Sequence, residues 1–227
     1  MFLYELHMHT AEGSACGKSS IHDMIRFYQD KGFAGAVVTD HFIGGNCRVS
    51  RHLGWPELVQ EYCRGYCEGL ETAQKLGFDL LFGIEQGYGG GKEFLAYGFE
   101  PGFLYERPEL RYADLRKWSE AIHEVGGFLA YAHPFRQRGY IPDPRSMPDM
   151  TLADGVEVFN YCNLEEDNAL AAEIFTPGST VLIAGSDLHR HEASGCCGIA
   201  LPHRVHSSRE LAAALRENKF EIIKNCP

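Results

Sequence analysis

Hydrophobic and polar positions change period several times along this chain. Phe2–Met8 is mostly apolar and runs into the polar, glycine-bearing stretch Thr10–Ser19, which predicts a strand feeding a loop. Ile21, Met24, Ile25, Phe27 and Tyr28 then recur at helical spacing, behind a capping Ser19 or Ser20 and ahead of Gly32. Gly35–Thr39 is a short β-rich run that ends at Asp40 and His41. Pro56 opens a long helix to about Leu76, with Leu58, Val59, Tyr62, Tyr66 and Leu70 on one face. The apolar run Phe78–Ile84 ends at Glu85, and Gly87–Gly91 with a strand near Glu93–Phe99 reads as an added hairpin. A helix over Tyr112–Val125 precedes the strand Gly127–Ala132, which ends at His133. Gly155–Phe159 and Thr180–Ala184 are two further short strands separated by an acidic helix, and a last helix covers Arg209–Arg216.

Strand, loop and helix thus alternate about seven times, with no internal repeat, low-complexity tract or linker. Such alternation predicts an α/β fold with a parallel sheet that closes into a barrel. At 227 residues the chain can bury a full core, and a single domain over 1–227 is the economical expectation. His7 and His9, Asp40 and His41, Glu85, His133, and Asp187 and His189 all fall at the C-terminal ends of predicted strands. Parallel α/β folds gather their sites on that face.

Residues two apart on an extended strand point the same way, so His7 and His9 can grip one ion, and Asp187 and His189 share that spacing. Imidazole with carboxylate suits Zn²⁺, Fe²⁺ or Mn²⁺, and the set is too rich in nitrogen for Mg²⁺ or Ca²⁺. His7, His9, His41, Glu85, His133, Asp187 and His189 are more ligands than one ion needs, so two ions are expected, with a third conceivable. Arg136, two residues past His133-Pro134, is placed to fork onto a phosphate. Glu157 and Asn160 end another strand near the site, where Glu157 can orient a ligand histidine.

Charge narrows the partners. A formal net charge of −10 argues against general nucleic-acid binding or attachment to an anionic membrane, while leaving small phosphorylated substrates and short oligonucleotides open. The N-terminal segment does not read as a secretion signal and no run is long enough to span a membrane, so a cytoplasmic protein is expected. The eight cysteines then read as reduced thiols.

The fragments ELHMHT, VVTDHF, GIE, AHPF and GSDLH, in this order from Leu6 to His189, resemble the PHP (polymerase and histidinol phosphatase) family. The resemblance implies a distorted seven-stranded, TIM-like β/α barrel and a multinuclear metal cluster. It also implies a phosphoesterase, either phosphatase or phosphodiesterase, acting through a metal-activated hydroxide on a small substrate such as histidinol phosphate or a nucleotide. Carried over by motif, His7, His9, Glu85 and Asp187 would hold one ion, Glu85 and His133 a second, and His41 and His189 a third. The chain departs from the family pattern in two places. Ser14 and Ala15 stand where a ligand follows the second histidine, and Leu95 stands where a histidine follows the GIE glutamate. Glu12 is the expected substitute at the third ion, with Cys16 the softer alternative, and the second ion is expected to be weak. Two rival readings are a metal-binding regulatory or vestigial module without turnover, and a metal-dependent amide or ester hydrolase.

Overall fold

The computed structural model describes residues 1–226. Strand β1 (Phe2–Met8) is followed by helix α1 (Ile21–Asp30), capped by Ser20, whose hydroxyl accepts from the Asp23 N–H. After β2 (Gly35–Val38) comes α2 (Trp55–Leu76), with Pro56 in its first turn and Gly77 closing it in the left-handed conformation. Next are β3 (Asp79–Phe82), the hairpin β4 (Ile84–Gly89) and β5 (Lys92–Tyr97), and the short helix α3 (Pro101–Tyr105). The helix expected from Tyr112 begins later, as α4 (Leu115–Glu124), because Asp114 accepts from the Lys117 N–H and sets the cap there. The rest of the chain runs β6 (Phe128–Tyr131), β7 (Gly155–Asn160), α5 (Glu165–Ile174), β8 (Val181–Gly185), β9 (Gly198–Leu201), α6 (Ser208–Glu217) and β10 (Glu221–Ile223).

The strands form a mixed α/β domain of two five-stranded sheets, ordered β10-β9-β1-β2-β3 and β4-β5-β6-β7-β8. Pairing is parallel for β1-β2, β2-β3, β6-β7 and β7-β8 and antiparallel elsewhere. The expected closed seven-stranded barrel is therefore not what forms. Gly83 separates β3 from β4, and β4 turns back on β5, so the ladder breaks there. The sheets touch through two isolated bridges, His41 to Glu85 and Met8 to Leu188. Both seams lie where side chains of the candidate site turn inward. Strands β9 and β10 are additions that the sequence pattern did not reveal.

The sheets nevertheless share one apolar interior. Tyr4, Leu6, Val37 and Leu81 from the first sheet pack with Leu95, Tyr97, Phe128, Ala130 and Ile183 from the second. Leu211, Ala212 and Leu215 of α6 join this cluster. A second cluster packs the helices outside: Ile21, Met24 and Ile25 of α1, Leu58, Val59 and Tyr62 of α2, and Trp118 and Ile122 of α4. Among the described residues no helix is long and apolar enough to cross a membrane.

One close approach couples fold to site. A Cβ on Gly185, at the end of β8, would lie 2.4 Å from His7 Cβ and 2.7 Å from Glu157 Oε1. Gly185→Ala must therefore push β1 and β7 apart at the site. It is expected to cost about 1–3 kcal/mol, as overpacking does, and to weaken divalent-ion binding. Denaturant unfolding and an ion titration of the variant check this, and unchanged values in both would refute it.

Candidate metal centre

His7 lies on β1 and His9 directly after it, both fully buried. His41 follows β2, and Glu85 lies on β4. His133 and Asp187 follow β6 and β8 with positive φ values of 29° and 57°. A positive φ is uncommon outside glycine, although His and Asp tolerate it better than most residues. Here it accompanies two side chains turned into the cluster.

His7 Nε2 stands 3.2 Å from Glu85 Oε1 and 3.6 Å from Asp187 Oδ1. His9 Nε2 stands 3.3 Å from Glu85 Oε2, 3.1 Å from Asp187 Oδ1 and 3.1 Å from His7 Nε2. Donors around one ion at bond lengths of about 2.0–2.2 Å lie roughly 3.3–3.6 Å apart. One ligand atom each of His7, His9 and Glu85 lies within 4.8 Å of the others, and Asp187 Oδ1 approaches both Nε2 atoms. The outer faces of the two rings are already committed. His7 Nδ1 donates to Glu157 Oε1 at 2.9 Å, because a carboxylate only accepts. His9 Nδ1 lies 2.9 Å from Ser14 Oγ, whose own proton goes to Asp40 Oδ1 at 2.7 Å. Both Nε2 atoms are thus the free positions, and a positive species, proton or metal ion, has to separate them. Glu157 and Ser14 are positioning residues. Asp40 also accepts from the backbone and hydroxyl of Thr10, pinning the loop after β1.

On the other side of Glu85, His133 Nε2 approaches Oε1 to 3.0 Å. His41 Nδ1 approaches Glu85 Oε2 to 2.7 Å, yet both atoms are buried without a hydrogen bond of acceptable geometry. Buried polar atoms without partners are rare and costly, and a cation would satisfy this pair. The cluster's residues therefore fit divalent ions. Electrostatics agree. Burial alone would raise the Glu85 carboxyl, but His41 and His7 outweigh it and hold it well below its ordinary value. Burial alone would lower His7, but Glu157, Asp187 and Glu85 raise it well above its ordinary value. Ions entering here must displace protons, so binding strengthens as pH rises.

His189 lies beside His41 and His9, completing a three-imidazole group. Glu12, the expected helper there, is elsewhere: its Oε2 accepts from the Ile21 N–H at 3.1 Å and braces the start of α1. The start of a helix offers unpaired N–H groups and a favourable dipole, and these claim a nearby carboxylate. Cys16 is the side chain that sits beside His189 and His41. Burial raises its thiol, but the two imidazoles bring it down to about 5. Leu95 is fully buried in the apolar interior, and Glu93, two residues earlier on the same face of β5, faces His41 and His133 instead. Glu93 was missed because the motif spacing points at position 95; the two-residue period of the strand was the available signal.

Arg136 is buried rather than a solvated loop charge. Its guanidinium donates to Asp187 Oδ2, to Asn160 Oδ1 at 3.0 Å and to Asn163 Oδ1 at 2.7 Å. It borders a cavity of about 570 Å³ whose wall also includes Cys16, His41, Glu93, Asp187 and His189. Lys92 borders the same cavity, but its ammonium is held by the carbonyls of Pro134, Pro144 and Ser146.

No family model matches the sequence, and no curated protein matches it. Solved structures do match. A protein assigned as a metal-dependent phosphoesterase from Bifidobacterium adolescentis aligns with a TM-score of 0.61 at 14% identity, over 93% of this chain and 95% of its own. A two-domain protein from Bacteroides vulgatus, containing a predicted PHP-like metal-dependent phosphoesterase, aligns with a TM-score of 0.69 at 18% identity. The chain shares the fold of PHP-like phosphoesterases. That second alignment covers 99% of this chain but 65% of the Bacteroides protein. A lesion-specific endonuclease from Pyrococcus furiosus has the same fold, with a TM-score of 0.61 at 11% identity over 99% of this chain and 58% of its own. At these identities the likeness is one of PHP-type fold.

Proposed function

We propose that this protein is a metal-dependent phosphoesterase acting on a small organic phosphate, such as a nucleotide, histidinol phosphate or the end of a short oligonucleotide. The observation that carries this reading is the buried Arg136 guanidinium, which borders the same cavity as the histidine–carboxylate cluster. A fixed guanidinium beside a divalent-ion site, with Nε and Nη2 engaged by Asn163, Asn160 and Asp187 and Nη1 left to donate, complements the negative charge of a phosphoryl group. The cavity, about 570 Å³, suits a small molecule, and the net charge of −10 disfavours a long nucleic acid.

In this reading His7, His9, Glu85 and Asp187 hold one ion, and His41, His133 and His189 extend the cluster. Bound divalent ions supply Lewis acidity toward phosphoryl oxygens and lower the pKa of water. The chain's own residues do the rest. Arg136 binds the phosphoryl oxygens and is held in place by Asn160 and Asn163. Glu157 and Ser14 fix the ring orientations of His7 and His9. Tyr140 and the glycines Gly44, Gly45, Gly87, Gly89 and Gly91 line the approach, leaving room for the organic part of the substrate.

The test is hydrolysis by ion-replete protein over a panel of nucleotides, sugar phosphates, histidinol phosphate and short oligonucleotides. Release of phosphate or nucleotide is expected, abolished by a chelator and restored by Mn²⁺, Zn²⁺ or Fe²⁺. No release across the panel would defeat the proposal in favour of an ion-binding module without turnover. Hydrolysis confined to amides or carboxylic esters would favour the other rival.

A further inference from the structure

The family pattern leaves the second ion with Glu85 and His133 alone, since Leu95 replaces a ligand. The structure contains a carboxylate that the pattern does not assign. Glu93 Oε1 stands 3.2 Å from His41 Nδ1, and its Oε2 stands 3.7 Å from His133 Nε2. One of its oxygens, one of Glu85 and one nitrogen of His41 lie within 4.8 Å of one another. Two carboxylates converging in a buried site repel each other unless a cation lies between them. An acidic pair alone would prove little. Here, however, His41 Nδ1 and Glu85 Oε2 are buried polar atoms without hydrogen-bond partners, and both belong to residues of this group. His41 is 8% exposed and Glu85 fully buried.

We propose that Glu93 is a metal ligand, closing a second cation position with Glu85 and His41 beside His133. It supplies by a carboxylate what the family supplies by an imidazole two residues later. The backbone permits the exchange because β5 runs antiparallel to β4, with Leu95 opposite Glu85 and Glu93 opposite Gly87. Leu95 points with Glu85 but fills the apolar interior. Glu93 lies two residues, roughly 7 Å, further along the same face, where the cavity opens. The donor set becomes two carboxylates with the His41 imidazole. That set is richer in oxygen than the family pattern and shifts preference toward Mn²⁺ or Fe²⁺ over Zn²⁺ at this position.

The proposal rests on reading the cluster as a metal centre, but it is tested without substrate. Protein stripped by chelation is titrated with Mn²⁺, with free ion followed by electron paramagnetic resonance and bound ion by calorimetry. The wild type should bind at least two equivalents, with the spectral broadening of neighbouring Mn²⁺ ions. Glu93→Gln should lose one equivalent, or bind it at least ~10-fold more weakly, the smallest loss typical of even a residue that only supports a ligand. Its far-ultraviolet circular dichroism should match the wild type. Glu93→Asp should restore part of the affinity, because it keeps the charge on a shorter arm. An unchanged count, affinity and spectrum in Glu93→Gln would overturn the assignment. If Glu93→Gln misfolds, Glu93→Asp decides alone: wild-type affinity and spectrum there would overturn it. Ion binding that depends on Glu93 in a protein that hydrolyses no phosphate would sink the phosphoesterase reading and leave this one standing.

Discussion

Replacing His9 or Asp187 by alanine is expected to lower the rate of phosphate ester hydrolysis by about 10³-fold or more, because a catalytic cation stabilises the transition state by several kcal/mol. In the proposed centre both residues belong to one four-donor set, and His9 Nε2 and Asp187 Oδ1 are 3.1 Å apart. Removing either leaves three donors and an unbalanced charge. The loss should appear in ion content as well as in kcat, since the same atoms hold the ion. The fold should survive in His9→Ala, because the apolar interior that joins the two sheets draws on other residues. Excess Mn²⁺ should recover some activity if the ion is merely bound more weakly. A variant with near-normal kcat and full ion content would remove His9 or Asp187 from the centre.

Arg136→Ala should be the most damaging substitution to stability, costing about 3–5 kcal/mol, as breaking a buried ion pair does. The guanidinium is the charge partner of Asp187 and also donates to Asn160 and Asn163. Without it, Asn163 Oδ1 loses its donor, Asn160 Oδ1 keeps the Cys162 N–H, and Asp187 Oδ2 keeps only the 3.5 Å contact from Asn160 Nδ2. Burial raises the Asp187 carboxyl, but Arg136 and His7 outweigh it and hold it well below the ordinary carboxylate range. A depressed carboxyl contributes stability that is fully present above its unfolded pKa of about 3.9 and is lost as pH falls through its folded value. Arg136→Ala should therefore begin to unfold at higher pH on acid titration than the wild type. Divalent ions should reduce the deficit, since they compensate Asp187 from its other oxygen. Activity should fall as well, through KM if the guanidinium only binds phosphate and through kcat if it stabilises the transition state. Arg136→Lys should recover charge without the fork, and with it only part of both losses. Unfolding within 1 kcal/mol of the wild type, together with unchanged kinetics, would return Arg136 to an incidental role.

Local chemistry explains what was legible before any coordinates. A strand turns alternate residues to one face, so the His7–His9 spacing announced a chelating pair, and the structure sets their Nε2 atoms 3.1 Å apart. Caps and periodicity placed α1, α2 and α6 to within a few residues, because those signals depend on neighbours in the chain. The motif order anticipated a PHP-like fold, and the structural neighbours bear that out.

What failed was long-range. Barrel closure depends on how β3 hands over to β4, and a hairpin that pairs β4 with β5 leaves two sheets joined by single bridges. No local period encodes that choice, which is made by strands far apart in sequence. Glu12 looked suited to the third ion by its position just after His9, but the N–H groups at the start of α1 claim it. Arg136 was expected near phosphate from its place after His133-Pro134, but only packing against Asn160, Asn163 and Asp187 buries it. Glu93 has no motif at all and becomes a candidate ligand only because β5 lies against β4 and brings it to His41. The sequence by itself determined which donor atoms exist and which share a strand face, since alternation is a property of the backbone. Tertiary structure alone decided which donors converge, because a coordination sphere spans a few ångströms and is filled from strands separated by tens of residues.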